Sequence, residues 1–260
     1  GLVDLARRVR RREIRLVTVD TQTPSPFSAS LLFGYVANYL YEGDAPLAER
    51  RAQALAVDQA QLRELLGESE LRELVDRHAL AELELALQCL DASHRATSPE
   101  RLHDLLLRLG DLSRGEAAAR VRPLPDGDAG AAADAWLGAL ERERRAIRVR
   151  VAGEERWAAA EDAGRLRDAL GIAPPPGLPG AFLDRQVHAL RDVVARYART
   201  HGPFTSTEVA RRYATGEASV LAALAELAKD GRVLEGEFRP GGHGREWCGA
   251  DVLATLRRRS

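Results

Sequence analysis

Apolar residues recur at three-and-four spacing in two stretches far apart in the chain: Leu102, Leu105, Leu106 and Leu109, then Val187, Leu190, Val194 and Tyr197. That period lines one face of an α-helix, so each stretch predicts an amphipathic helix with one buried stripe. Each is followed by the same short pattern. Gly110, Leu112, Ser113 and Glu116 are matched at unchanged spacing by Gly202, Phe204, Thr205 and Glu208. A turn glycine, then a hydroxyl residue with a glutamate three positions on, predicts a capping box, in which hydroxyl and carboxylate accept from each other's backbone amides at a helix start. A third helical segment follows in both places, carried by Trp136, Leu137 and Leu140 and by Val220, Leu221, Leu224 and Leu227.

The period then shortens to two. Ile147, Val149 and Val151 alternate with arginines, Ala152-Gly153-Glu154 turns the chain, and Arg156-Trp157 begins the return, which predicts a hairpin. The later region repeats it with Val233, Leu234 and Phe238, a loop from Arg239 to Gly244, and a return strand from Arg245 to Cys248. Trp157, Glu161, Leu166 and Arg167 are echoed by Trp247, Asp251, Leu256 and Arg257. Three helices closed by a hairpin make a winged helix, and a repeat of this length fixes architecture ahead of local propensity. The expected fold class is mainly α (α+β): a helical packing segment over 1–96, a winged helix over 97–172, a proline-rich linker over 173–183, and a second winged helix over 184–260. The linker is stiffened by Ala173-Pro174-Pro175-Pro176-Gly177. Trp157 and Trp247 are expected at equivalent places, each opening its return strand and packing under the third helix.

Within 1–96 the pattern predicts helices over Leu2–Arg12, Phe27–Tyr41, Leu47–Ala56, Gln59–Leu66 and Ser69–Leu90, with a short strand over Ile14–Val19. The helix starting after Pro24-Ser25-Pro26 is apolar on most sides and needs a cover. This segment reads as scaffold.

Composition refines that picture. At 260 residues the chain supports two or three small cores. A net charge of −1 argues against a uniformly basic surface. Positive residues nevertheless gather at Arg7–Arg15, Arg142–Arg150, Arg239–Arg245 and Arg257–Arg259, and local stripes are what a phosphate backbone feels within a Debye length. The candidate DNA-contacting residues are Arg148, Arg150, Arg156, Arg232, Arg239, His243 and Arg245, on the hairpins and their ends, where they meet phosphates without reading bases. The second module's third helix offers Glu217, Ser219, Glu226 and Lys229, a poor set for base edges. Cys89 and Cys248 read as free buried thiols, and the six histidines lack metal-ligand spacing. No apolar run approaches a membrane span, so a cytoplasmic, nucleoid-associated protein is expected. The lack of methionine and the Gly1 start suggest a segment of a longer polypeptide.

Three stretches resemble the bacterial large helicase-related (Lhr) family: Pro24-Ser25-Pro26-Phe27 through Tyr35-Val36, Tyr41-Glu42-Gly43-Asp44-Ala45-Pro46-Leu47-Ala48-Glu49-Arg50-Arg51, and Glu235-Gly236-Glu237-Phe238-Arg239-Pro240-Gly241-Gly242 through Trp247-Cys248. Gly153-Glu154-Glu155-Arg156-Trp157 is similar to the same proteins. The resemblance implies the region following the motor of a superfamily 2 DNA-repair helicase that translocates on single-stranded DNA with ATP. It further implies DNA and the helicase motor domains as partners, with a homo-oligomer as a further possibility. ATP and magnesium are expected at the motor, because this chain has neither a Gly-x-x-x-x-Gly-Lys-Ser/Thr loop nor the acidic magnesium motif and is expected to need no cofactor itself. Two other readings stand beside this one. Gln59-Ala60-Gln61 matches the Gln-x-Gln motif of alkyl-purine and crosslink DNA glycosylases, which are also tandem winged helices, although here it precedes both modules on an acidic stretch. The other is a pure oligomerisation or interaction scaffold.

Overall fold

The computed structural model describes residues 75–122, 128–242 and 244–259. The helices and strand expected over 1–74, with Gln59 and Gln61, lie outside the described residues, as does His243.

The first described helix, α1 (Arg77–Leu87), starts where Asp76 accepts from the backbone amides of His78 and Ala79 at 2.7 and 2.8 Å. It stops before the expected Leu90, and Cys89 takes a left-handed φ of 54°. Helix α2 (Pro99–Leu109) has Ser98 as its cap and proline in its first position, where a missing N–H costs nothing, and it buries Leu102, Leu105, Leu106 and Leu109. Gly110, at φ 94°, ends it. The chain pairs briefly as β1 (Leu112–Ser113), then Ser113 and Glu116 close a capping box on α3 (Arg114–Ala119). Helix α4 (Ala129–Arg142) and the hairpin β2 (Ala146–Val151) and β3 (Glu154–Ala159) complete this module. Its antiparallel sheet has the order β1-β3-β2, with Leu112 and Arg148 both opposite Trp157. A 3-10 turn, Ala160–Asp162, leads into α5 (Ala163–Leu170).

The second module follows the same order. Helix α6 (Ala189–Thr200) precedes α7 (Ser206–Tyr213), which opens on the capping box of Thr205 and Glu208. Then come α8 (Glu217–Lys229), the hairpin β4 (Val233–Gly236) and β5 (Glu246–Gly249), and α9 (Ala250–Arg259). Phe204 exchanges both backbone hydrogen bonds with Trp247, at 2.8 and 2.7 Å, in the place that Leu112 holds opposite Trp157. The two tryptophans are 8% and 9% exposed. Their strands run beside the first helix of each module, α2 and α6, and the third helices, α4 and α8, lie beside the outgoing strands. The rings themselves share a core with the third helices, Trp157 with Leu137 and Leu140 and Trp247 with Val220, Leu224 and Leu227, as expected.

Three cores hold these elements. One fills the first module with Leu102, Leu106, Leu137, Leu140 and Trp157. Another spans both modules: Ile147, Val149, Val151, Ala158 and Leu166 of the first pack with Val194, Phe204, Leu224 and Trp247 of the second. The third packs Val75, Leu80 and Leu83 of α1 and its approach against Phe238, Cys248, Leu253 and Leu256. The proline-rich stretch is a packed strap, with Leu178, Phe182 and Leu183 against the shared core. Arg144 donates to the Gly177 carbonyl at 2.8 Å and Arg167 to that of Leu183 at 2.9 Å. Gly164 lets the strap close, since a Cβ there would stand 2.8 Å from the Phe182 carbonyl oxygen. No helix among the described residues is long and apolar enough to cross a membrane.

Candidate nucleic-acid interface

The sheet of the first module is covered on both faces, and that decides what its arginines do. Arg148 shares a face with Trp157, while Arg156 shares the opposite one with Val149 and Val151, against the second module. Arg156 is 6% exposed and donates to Asp111 at 2.8 Å and to Glu154 at 3.0 Å. It was expected at a phosphate; the structure turns it inward, into a seam of ion pairs.

Arg212 of α7 crosses the same seam to Glu116 and to the Asp111 carbonyl, each at 2.5 Å. Arg196 of α6 grips both oxygens of buried Asp162 at 2.5 and 2.7 Å, and Arg165 holds the same carboxylate. Glu116 thereby serves twice, once in its own capping box and once between modules. Burial alone would lift its carboxyl pKa, but the hydrogen bond and charge of Arg212 outweigh it and hold the group below the usual range. The seam extends through Gln88, which donates to the Thr200 carbonyl at 2.6 Å and accepts from Arg120 at 2.5 Å.

Near this junction lies a cleft of about 540 Å³ walled by Glu84, Gln88, Tyr197, Phe204 and Arg239. His201 stacks on Tyr197 with ring centroids 3.6 Å apart and sits 3.0 Å from the Tyr197 carbonyl through Nδ1. Burial lowers its pKa to about 4, against that hydrogen bond, so the ring is neutral at pH 7 and brings no charge to an anion.

Of the remaining candidates, Arg239 is also engaged internally. It pairs with Glu84 at 2.9 Å and donates to the Pro203 carbonyl at 2.7 Å, while Glu246 accepts from the amides of Phe238 and Arg239 at 2.9 and 2.8 Å. The base of the glycine-rich loop is thus pinned, in contrast to a freely adaptable wing. Arg148 lies outward, 4.6 Å above the Trp157 ring, with Glu141 at 3.1 Å and Glu155 at 3.7 Å dividing its charge. Arg245 is exposed and 3.6 Å from Glu235. Arg150 and Arg232 are exposed, and neither side chain has an ion pair or hydrogen bond among the described residues. Sequence reasoning missed Arg199 of α6, which is exposed in the same way. Its only signal was a position one helical turn beyond Arg196, off the apolar stripe.

The third helices show little that reads bases. On α8 the exposed positions include Glu217, Ala218, Ser219, Ala222, Ala225, Glu226 and Lys229; on α4 they include Ala131, Asp134, Ala135 and Arg142. Glu217 is bound by the hydroxyls of Ser206 and Thr207, and Asp134 is held bidentately by Arg114.

Residues 73–185 match the sequence profile of the large helicase-related protein winged-helix domain. The whole chain aligns with two larger proteins. It is 46% identical to the Lhr helicase/probable uracil glycosylase of Mycolicibacterium smegmatis and 39% identical to the Lhr helicase/uracil glycosylase of Escherichia coli. The chain is Lhr-like. It spans 17% and 16% of those two relatives' lengths. The Lhr winged-helix match ends just past the strap, at the residue before Gln186, which donates its amide to Asp168, so it takes in α1 through α5 together with the segment that closes over α5.

Proposed function

We propose that this Lhr-like chain is a DNA-binding and scaffolding part of an ATP-dependent DNA-repair helicase, holding DNA by its backbone without reading sequence. The observation that carries this reading is the division between third helices and outer arginines. Exposed positions on the third helices are mostly alanine, serine and acids, with Arg142 and Lys229 only in the last turns, whereas Arg150, Arg199 and Arg232 stand exposed without a carboxylate partner among the described residues. A translocating enzyme needs contacts that every sequence offers equally. The helicase named in both relatives is consistent with this, and ATP and magnesium belong, in this reading, to motor domains elsewhere in the longer protein.

The two modules act in it as two copies of one winged helix locked into a single body. Base excision, which the relatives' names also include, is assigned outside this chain. Gln59 and Gln61 are flanked by Asp58, Glu64 and Glu68, whose charge repels the phosphates beside a flipped nucleotide. The test is binding of the chain to several labelled duplexes of unrelated sequence and to single strands. Affinities alike across sequences and falling steeply with salt support the proposal. A strong preference for one duplex contradicts it, and no binding at low salt leaves the scaffold alone.

A further inference from the structure

Where the second hairpin closes onto α6, two exposed arginines stand near two others that already hold the Asp162 carboxylate. Gly249 of β5 lies so close to α6 that a Cβ on it would be 2.6 Å from the Ala198 carbonyl oxygen. Gly249 pairs with Val233, and the Arg232 carbonyl accepts from Ala250 at 3.0 Å, so the start of β4 is brought beside the last turn of α6, where Arg199 sits. Arg196 and Arg165 are one helical turn back and across the seam. Asp162, the acid those two hold, is buried with both oxygens already taken by them.

The cluster is therefore short of negative charge. Arg199 and Arg232 are exposed with no ion pair or side-chain hydrogen bond among the described residues. Arg165 has a buried Nε without a partner among the described residues. Burial, followed by the charges of Arg232, Arg196 and Arg165, pulls the Arg199 pKa below the usual arginine value, while Asp192 offsets this only in part. Cations held together against such repulsion form a site that an anion relieves. The planar, permanently charged fork of arginine matches phosphate oxygens well.

We infer that Arg199 and Arg232, backed by Arg165, form a seat for the phosphodiester backbone of DNA on the second module, at the junction of α6 and the start of β4. This rests on the DNA-binding reading above and locates the contact away from the glycine-rich loop and the third helices. Successive phosphates along one strand would meet the two exposed arginines in turn, with Arg196 and Asp162 fixing the floor beneath them.

The test is a salt series on the chain with a fluorescein-labelled mixed-sequence duplex and a single strand of equal length. Arg199→Ala with Arg232→Ala should weaken binding about tenfold and flatten the slope of log affinity against log salt by about two for duplex. Arg199→Gln with Arg232→Gln, which keeps the stems but not the charge, should do the same. Wild-type affinity and slope in both double variants would overturn the inference while leaving DNA binding intact. Failure of the wild-type chain to bind at the lowest salt would remove both this seat and the reading beneath it.

Discussion

Along the seam between the modules, Arg156, Arg196 and Arg212 each meet a carboxylate at 2.8 Å or closer; on the outer face of the second module, Arg199 and Arg232 meet none among the described residues. The side chain is the same in both places. What differs is the supply of acid and the access to water. A charge taken out of water must be paired and hydrogen-bonded, so the seam places Asp111, Glu116 and Asp162 opposite its arginines and thereby dictates how the two modules sit. An exposed guanidinium carries no such obligation and stays available to an external anion. Depth in the fold, more than position on a wing, separates arginines that build the protein from those that meet its partner.

The largest effects should come from emptying the inner side of this comparison. Arg156→Ala leaves Asp111, 3% exposed, with only a 3.5 Å approach from Arg212, and should cost about 3 kcal/mol or more in urea unfolding. Trp247→Ala, opening a hole beside Phe204 and Val194, should cost about 3–5 kcal/mol. Arg199→Ala should stay within about 0.5 kcal/mol of wild type. Equal losses in Arg156→Ala and Arg199→Ala would erase the distinction between inner and outer arginines.

A pH dependence sharpens it next. His201 in the folded chain takes its proton only near pH 4, while the unfolded chain takes it near pH 6.5. Its contribution to stability is therefore complete above about pH 6.5 and lost as pH falls toward 4, by on the order of 3 kcal/mol. His201→Phe, which keeps a ring over Tyr197, should show a shallower acid decline in unfolding free energy between those values. An unchanged decline would assign the acid limb to the seam carboxylates. A smaller loss belongs to Arg148→Ala, which removes a cation from above Trp157 and should cost about 0.5–1 kcal/mol.

Much of the local architecture was legible in the sequence. Both capping boxes form between the residues that their spacing indicated, and Trp157 and Trp247 hold equivalent places, as expected, opposite Leu112 and Phe204. Such features depend on neighbours a few residues away or on simple alternation. The candidate interface was less legible, and Arg156 shows why. Alternation placed it on the face opposite Trp157, which reads as solvent when a sheet has one buried side; here the second module covers that side too. Ion pairs such as Arg212 to Glu116 join residues with no shared period, and nothing in the spacing of either marks the other. The strap was equally hidden, since prolines report stiffness and say nothing of the surface against which they lie.

The central claim is that seam and shared core make two winged helices one cooperative body. The chain's three tryptophans, Trp136, Trp157 and Trp247, allow this to be read directly. Single-tryptophan variants, with the other two replaced by Phe, would retain Trp157 in one protein and Trp247 in the other. Each is unfolded in urea while its fluorescence is followed together with that variant's far-ultraviolet circular dichroism. One body predicts that both probes coincide with the circular dichroism in a single transition for each variant. A Trp157 transition separated from the remaining loss of helix, or a Trp247 transition so separated, would contradict it and show two modules that unfold independently.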